Sequence, residues 1–147
     1  MTPSPATDGV QVEHVVAALR ERMYGAISCL ATLAALARYT DVDTNAWYRV
    51  IDVAVAAGGL WAAALLAEFI ARLSVEGKAP RGHSAWAMLA SSGQILQAAA
   101  APAVILALAG FGVLDTPDAV WIAMWFLVAE MALIAFAAVH RAGLVWW

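Results

Sequence analysis

Glu130 carries the chemistry in this chain that most needs explaining. It stands in the middle of an apolar run, Ala119 to Val139, that holds no other charged residue. A charge at the centre of a bilayer costs at least about 2.5 kcal/mol, so a carboxyl there must be neutral, paired or set against a cavity. One that gains and loses a proton could couple the movement of a substrate to a proton gradient. Depth selects its expected neighbours. At about 1.5 Å per residue, Gln94 and Gln97 lie about 14 to 18 Å above the inner end of the preceding run, and Glu130 lies about 15 Å above His140. Thr32 lies near the same height in the first run. The sequence therefore predicts a midplane polar cluster of Thr32, Gln94, Gln97 and Glu130, with Ser28, Ser91 and Ser92 just below it. It also admits a plainer role, in which Gln94 or Gln97 hydrogen-bonds a protonated Glu130 and fastens two helices together, a contact commonly worth about 0.6 kcal/mol.

The remaining polar residues point to simpler work. Asp52 follows Arg49 by three positions near a run boundary and reads as an interfacial ion pair. Glu68 precedes Arg72 by four, the favourable order for a pair along one helix. His14, His83 and His140 are scattered, with no metal-ligand spacing. Cys29 is the sole cysteine, which excludes an internal disulfide and reads as a small packing residue. There is no Gly-rich phosphate loop and no nucleophile elbow. Ser91 and Ser92 are the only hydroxyls near Glu130 that a hydrolase could use. No catalytic activity, metal or cofactor is expected.

These residues are positioned by four apolar stretches, at about 23–39, 50–71, 85–114 and 119–139. About 20 apolar residues in a helix match a hydrocarbon core of about 30 Å. Composition agrees: 64% of the chain is hydrophobic and 13% charged, against about half and a quarter in soluble domains. The charges fall between the runs, whereas a water-soluble bundle would carry them along one face of each helix. The expected fold is an all-α polytopic membrane protein with four transmembrane helices, residues 23–147, preceded by a cytoplasmic segment over 1–22.

Within that segment Met1 to Thr7 reads as an irregular tail, and Asp8 with Gln11 as a loose capping box. Val12, Val15, Val16, Leu19 and Met23 recur at helical spacing opposite Gln11, Glu13, His14, Glu21 and Arg22. This suits a short amphipathic helix lying on the membrane surface or, equally, an extension of the first spanning helix. Tyr24, Ser28, Thr32 and Ala35 form one stripe of mostly small or polar residues. Asp52, Ala56, Gly59, Ala63 and Ala67 form another, the small-xxx-small pattern that lets two helices approach closely in lipid. Pro102 predicts a kink near Ala98. The loop from Asp115 to Asp118 is short enough to make the last two helices an antiparallel pair. A faint self-similarity links Leu65–Phe69 (LLAEF) with Leu127–Met131 (LVAEM).

Orientation follows from Lys and Arg. Arg20, Arg22, Arg72, Lys78, Arg81 and Arg141 fall on one side of a four-helix arrangement, Arg38 and Arg49 on the other, which is six against two. The positive-inside rule puts both termini in the cytoplasm. Trp47, Tyr48 and Trp121 would mark the outer interface, and Tyr24, Trp86, Trp146 and Trp147 the inner one. The first 22 residues are too charged for a secretory h-region, so the first spanning helix is expected to act as an uncleaved insertion signal. The Ala, Val and Trp bias resembles a GC-rich bacterial composition, giving an expected place in a bacterial inner membrane. Eight scattered cations and a net charge of −3 give no surface for nucleic acid. The expected partners are the lipid bilayer and either further copies of the chain or a larger membrane protein. Two functions stay open: a small proton-linked transporter or channel subunit working as an oligomer, and a non-catalytic accessory or structural subunit.

Overall fold

The computed structural model describes residues 5–77 and 82–141, which form four α-helices and no strand. These are α1 (Pro5–Ala37), α2 (Ala46–Glu76), α3 (His83–Gly110) and α4 (Thr116–Arg141). Met1, Lys78, Arg81, Trp146 and Trp147 lie outside the described residues, as do the side chains of Gln11, Glu13, His14, His83, Ser91 and Arg141.

Three of the helices contain segments long and apolar enough to cross a membrane: Ala46–Val75, Ser92–Gly110 and Thr116–His140. The chain therefore has the character of a membrane-embedded helical protein. Its surface supports this, because Val55, Leu66, Ile70, Val104, Trp125, Leu133 and Phe136 are all exposed. An apolar exterior of this extent is suited to lipid, and in water it would be an aggregation surface.

α1 differs from the other three. It is a single helix of 33 residues that begins at Pro5, so the backbone from Pro5 to Thr7 is helical where an irregular tail was expected. Proline tolerates the first turn because its missing N–H has no intrahelical partner there. The start at Pro5 also leaves Asp8 inside the helix, where it cannot be the N-cap. The run from Asp8 to Arg22 continues directly into the apolar part of α1, as in the extension reading of that segment. α3 likewise runs without a break across Ala98 and Pro102.

α1 and α3 form the central pair, and each also packs on α2 and α4. The close approach is at Gly25. A methyl group there would stand 3.0 Å from both the Cα and the carbonyl oxygen of Ile95 and 3.1 Å from Ala98 Cβ. From that point the core follows helical spacing: Ala26, Cys29 and Leu33 on α1, Val53 and Ala57 on α2, Ala98, Ala99 and Leu106 on α3, and Val120, Ala123 and Leu127 on α4.

Burial is confined to one part of the bundle. Among the described residues, none before Gly25 on α1, after Ala57 on α2, before Ser92 on α3 or after Leu127 on α4 is buried. The helices are thus tightly packed at the end where α1 stops and α2 begins, and they separate toward the other end. Polar and aromatic contacts fasten the packed end. The Asn45 side chain caps α2 by accepting from Trp47 N at 2.9 Å. The Trp47 ring lies over Gly110 and meets Phe111 edge-on at a centroid distance of 5.2 Å. Thr116 Oγ1 donates to Thr44 O at 2.8 Å, joining the first turn of α4 to the α1–α2 loop. Gly112 ends α3 at φ 77°, a backbone region open to glycine at no steric cost.

Candidate functional site

The partner of Glu130 is Arg22. Arg22 Nε donates to Glu130 Oε1 at 2.7 Å, and Arg22 Nη2 stands 2.5 Å from the same oxygen. Two guanidinium nitrogens therefore converge on one carboxylate oxygen, a charge-assisted arrangement stronger than a neutral hydrogen bond. The Glu130 side chain is 14% exposed and that of Arg22 39%.

The helix register explains the meeting. Glu130 lies about 21 Å below Thr116 on α4 and Arg22 about 22 Å below Ala37 on α1, at about 1.5 Å per residue. The two helices start this measure from the same packed end, so the residues arrive at one level.

The pair forms part of the wall of a cavity of about 450 Å³ where α1, α3 and α4 separate. Gln97, Leu19, Ala101, Phe126 and Leu133 line the rest. The chemistry available is one cation, one anion and one amide against otherwise apolar walls. Such a site could exchange a proton or hold a small ion or polar group, provided the interhelical pair gives way.

Of the expected cluster, the structure brings Gln97 to the Glu130 cavity but places Gln94 and Thr32 away from its lining. Thr32 Oγ1 instead donates to the carbonyl of Ser28, one turn back on its own helix, at 2.9 Å. Among the described residues Glu130 bonds to Arg22 and to neither glutamine. Ser92 is buried and lines a second cavity between α1 and α2, so it does not face Glu130. Arg22 carries no local mark in the sequence, because it sits in the charged cluster that bounds the first apolar run. The usable signal was register: α1 needed to be aligned with α4 from their common end.

The other named residues fall into two groups. Arg49 Nη1 donates to Asp52 Oδ2 at 2.8 Å, and Arg49 Nη2 also reaches Tyr39 O at 3.0 Å, tying α2 to the preceding loop. Arg72 Nε donates to Glu68 Oε1 at 2.6 Å along α2. The two similar segments therefore use their glutamates differently, Glu68 within its own helix and Glu130 across to α1. The small-residue stripe of α2 is not used inside the chain. Gly59, Ala63 and Ala67 are exposed, Ala56 is half-buried, and a methyl on Gly59 would meet nothing within 4 Å. The intrachain approach uses Gly25, one position from the Tyr24 stripe. Tyr24 itself is exposed.

Fold and site together define a class, a helical membrane-embedded protein with a charge pair set in a lateral cavity. Comparison with known protein families, curated proteins and solved structures gives no match.

Proposed function

We propose that the chain is a multi-pass protein of a bacterial inner membrane, with four spans and both termini cytoplasmic, that works as a small proton-linked transporter or channel subunit. One observation carries this reading: Glu130 lines a cavity rather than being sealed in the core. A carboxylate whose only role was to fasten helices would be better protected from ligand than this one. Protonation of Glu130, or capture of a cation by it, would release Arg22 and loosen α1 from α4 at the end where the helices already separate. That gives a binding event a mechanical consequence.

Among the described residues neither cavity crosses the bundle, so the transport reading requires an oligomer, and the uncovered α2 face at Gly59 is the expected contact. The six-to-two distribution of Lys and Arg supports the cytoplasmic placement of the ends.

A second reading is favoured by the same pair. The Arg22–Glu130 bond is a static clamp if nothing enters the cavity, and the uncovered α2 face then serves a larger membrane partner. Glu130→Gln separates the two in proteoliposomes carrying a pH-sensitive dye and a panel of ions and small metabolites. The transport reading expects a proton-coupled flux that the variant abolishes while helicity and oligomer mass persist. Unchanged fluxes with altered association would favour the accessory role.

A further inference from the structure

The second cavity is larger, about 840 Å³, and opens between α1 and α2 over a floor formed by Ser92 and Ile95 of α3. We infer that this groove is a binding site for one phospholipid with a phosphoethanolamine headgroup. The inference rests on membrane placement and is independent of any flux through the Glu130 cavity.

Length is the first argument. The groove runs from Ala17 to Ala31 along α1 and from Arg72 to Leu60 along α2. At about 1.5 Å per residue these are about 21 and 18 Å, about two thirds of a hydrocarbon core of about 30 Å. It closes where Leu33 and Val53 are buried between the helices. A spanning helix from another protein, or from a second copy, would need a track of about 30 Å, longer than either wall. The acyl chains of one leaflet fit the depth available.

Wall chemistry is the second. Ala31, Ala63, Ala64 and Ala67 line the sides. These small side chains make the α2 wall apolar, with Tyr24, Ser28 and Ser92 the polar members of the lining away from the charged mouth.

Charge at the mouth selects the headgroup. Arg20 and Glu21 stand on the α1 rim, Glu68 and Arg72 on the α2 rim. Each Arg now pairs with the Glu of its own helix, at 3.3 Å and 2.6 Å. The quartet is neutral in sum, so it offers no net attraction to an anionic headgroup. It offers two guanidiniums for a phosphate and two carboxylates for an ammonium. A primary ammonium has three N–H donors for those carboxylates, and a choline headgroup has none.

The test uses the full chain purified in detergent and depleted of lipid. Dioleoyl-phosphatidylethanolamine, -phosphatidylcholine and -phosphatidylglycerol are titrated separately, with retention read by native mass spectrometry. We expect one ethanolamine lipid retained per chain, with choline and glycerol lipids about tenfold weaker, the worth of one or two charge-assisted bonds. The rim variant carrying both Glu21→Gln and Glu68→Gln should lose the preference for ethanolamine over choline. Ala67→Phe, which fills the slot, should lower retention of all three, with helical circular dichroism verifying its fold. Should that variant not fold, the exposed-rim variant decides alone. Equal retention of the three lipids, or a preference untouched by the rim variant, overturns the site. So does a dimer mass that Ala67→Phe removes, since a second copy would then fill the groove. A chain that stays monodisperse without detergent would instead overturn the membrane placement.

Discussion

Glu130 and Arg22 hold each other across α1 and α4, and their burial sets the cost of changing either. An exposed ion pair is worth about 0.2 to 1 kcal/mol, whereas removing one partner of a fully buried pair costs about 3 to 5 kcal/mol. With Glu130 well covered and Arg22 partly exposed, Glu130→Gln and Arg22→Gln should each destabilise by about 2 kcal/mol. The double variant should recover much of that loss, because no unpaired charge remains. Denaturation in detergent, run as a double-mutant cycle, reads the coupling; simple addition of the two losses would mean that the pair contributes nothing. Glu130 was legible in the sequence as a lone charge in a long apolar run. Arg22 was not, because one charge among Arg20, Glu21 and Arg22 at a run boundary has no distinguishing local pattern. Only the shared depth of two helices separated by most of the chain identifies it.

At the scale of elements, glycines of similar appearance have opposite roles. Gly25 faces the Ile95 backbone at a distance no Cβ tolerates without movement, and Gly59 faces open space. Helix propensity alone favours alanine at both by about 1 kcal/mol. At Gly25 the overpacking cost of about 1 to 3 kcal/mol works against it, so Gly25→Ala should lower the unfolding temperature in detergent, with Gly25→Leu lowering it further. Gly59→Ala should be neutral or slightly stabilising in the monomer. A destabilising Gly59→Ala accompanied by loss of oligomer mass would locate an intermolecular contact on α2. The α2 cap gives an independent check: Asn45→Ala removes the bond to Trp47 N and should cost about 1 kcal/mol. Helix content could be read from apolar run length, and the turn between α3 and α4 from Asp115 to Asp118. The start of α1 at Pro5 could not, since its first turns carry no apolar run. Nor could the close contact at Gly25, since Gly25 lies beside the α1 stripe and not on it, and the choice depends on which helix takes the central place.

For the molecule as a whole, the number of crossings turns on α1. Its apolar part is short, and Arg20, Glu21 and Arg22 keep its composition below that of a span. Its packing argues that it crosses with the others. Ala26 and Leu33 are buried against the other helices. The loop that follows it is bonded to the first turn of α4 through Thr44 and Thr116, so the end of α1 stands level with the ends of the three apolar helices. A surface-bound α1 would leave the Gly25 face of α3 open and Glu130 without its guanidinium. Parity supplies the measurement. Four crossings place both ends of the chain on one side, and three place them on opposite sides. Fluorescent-protein and alkaline-phosphatase fusions, made separately at each end, should therefore report cytoplasmic placement at both. Opposite sides would mean that α1 does not cross, and the Arg22–Glu130 pair would then have to sit at an interface instead of inside the bilayer.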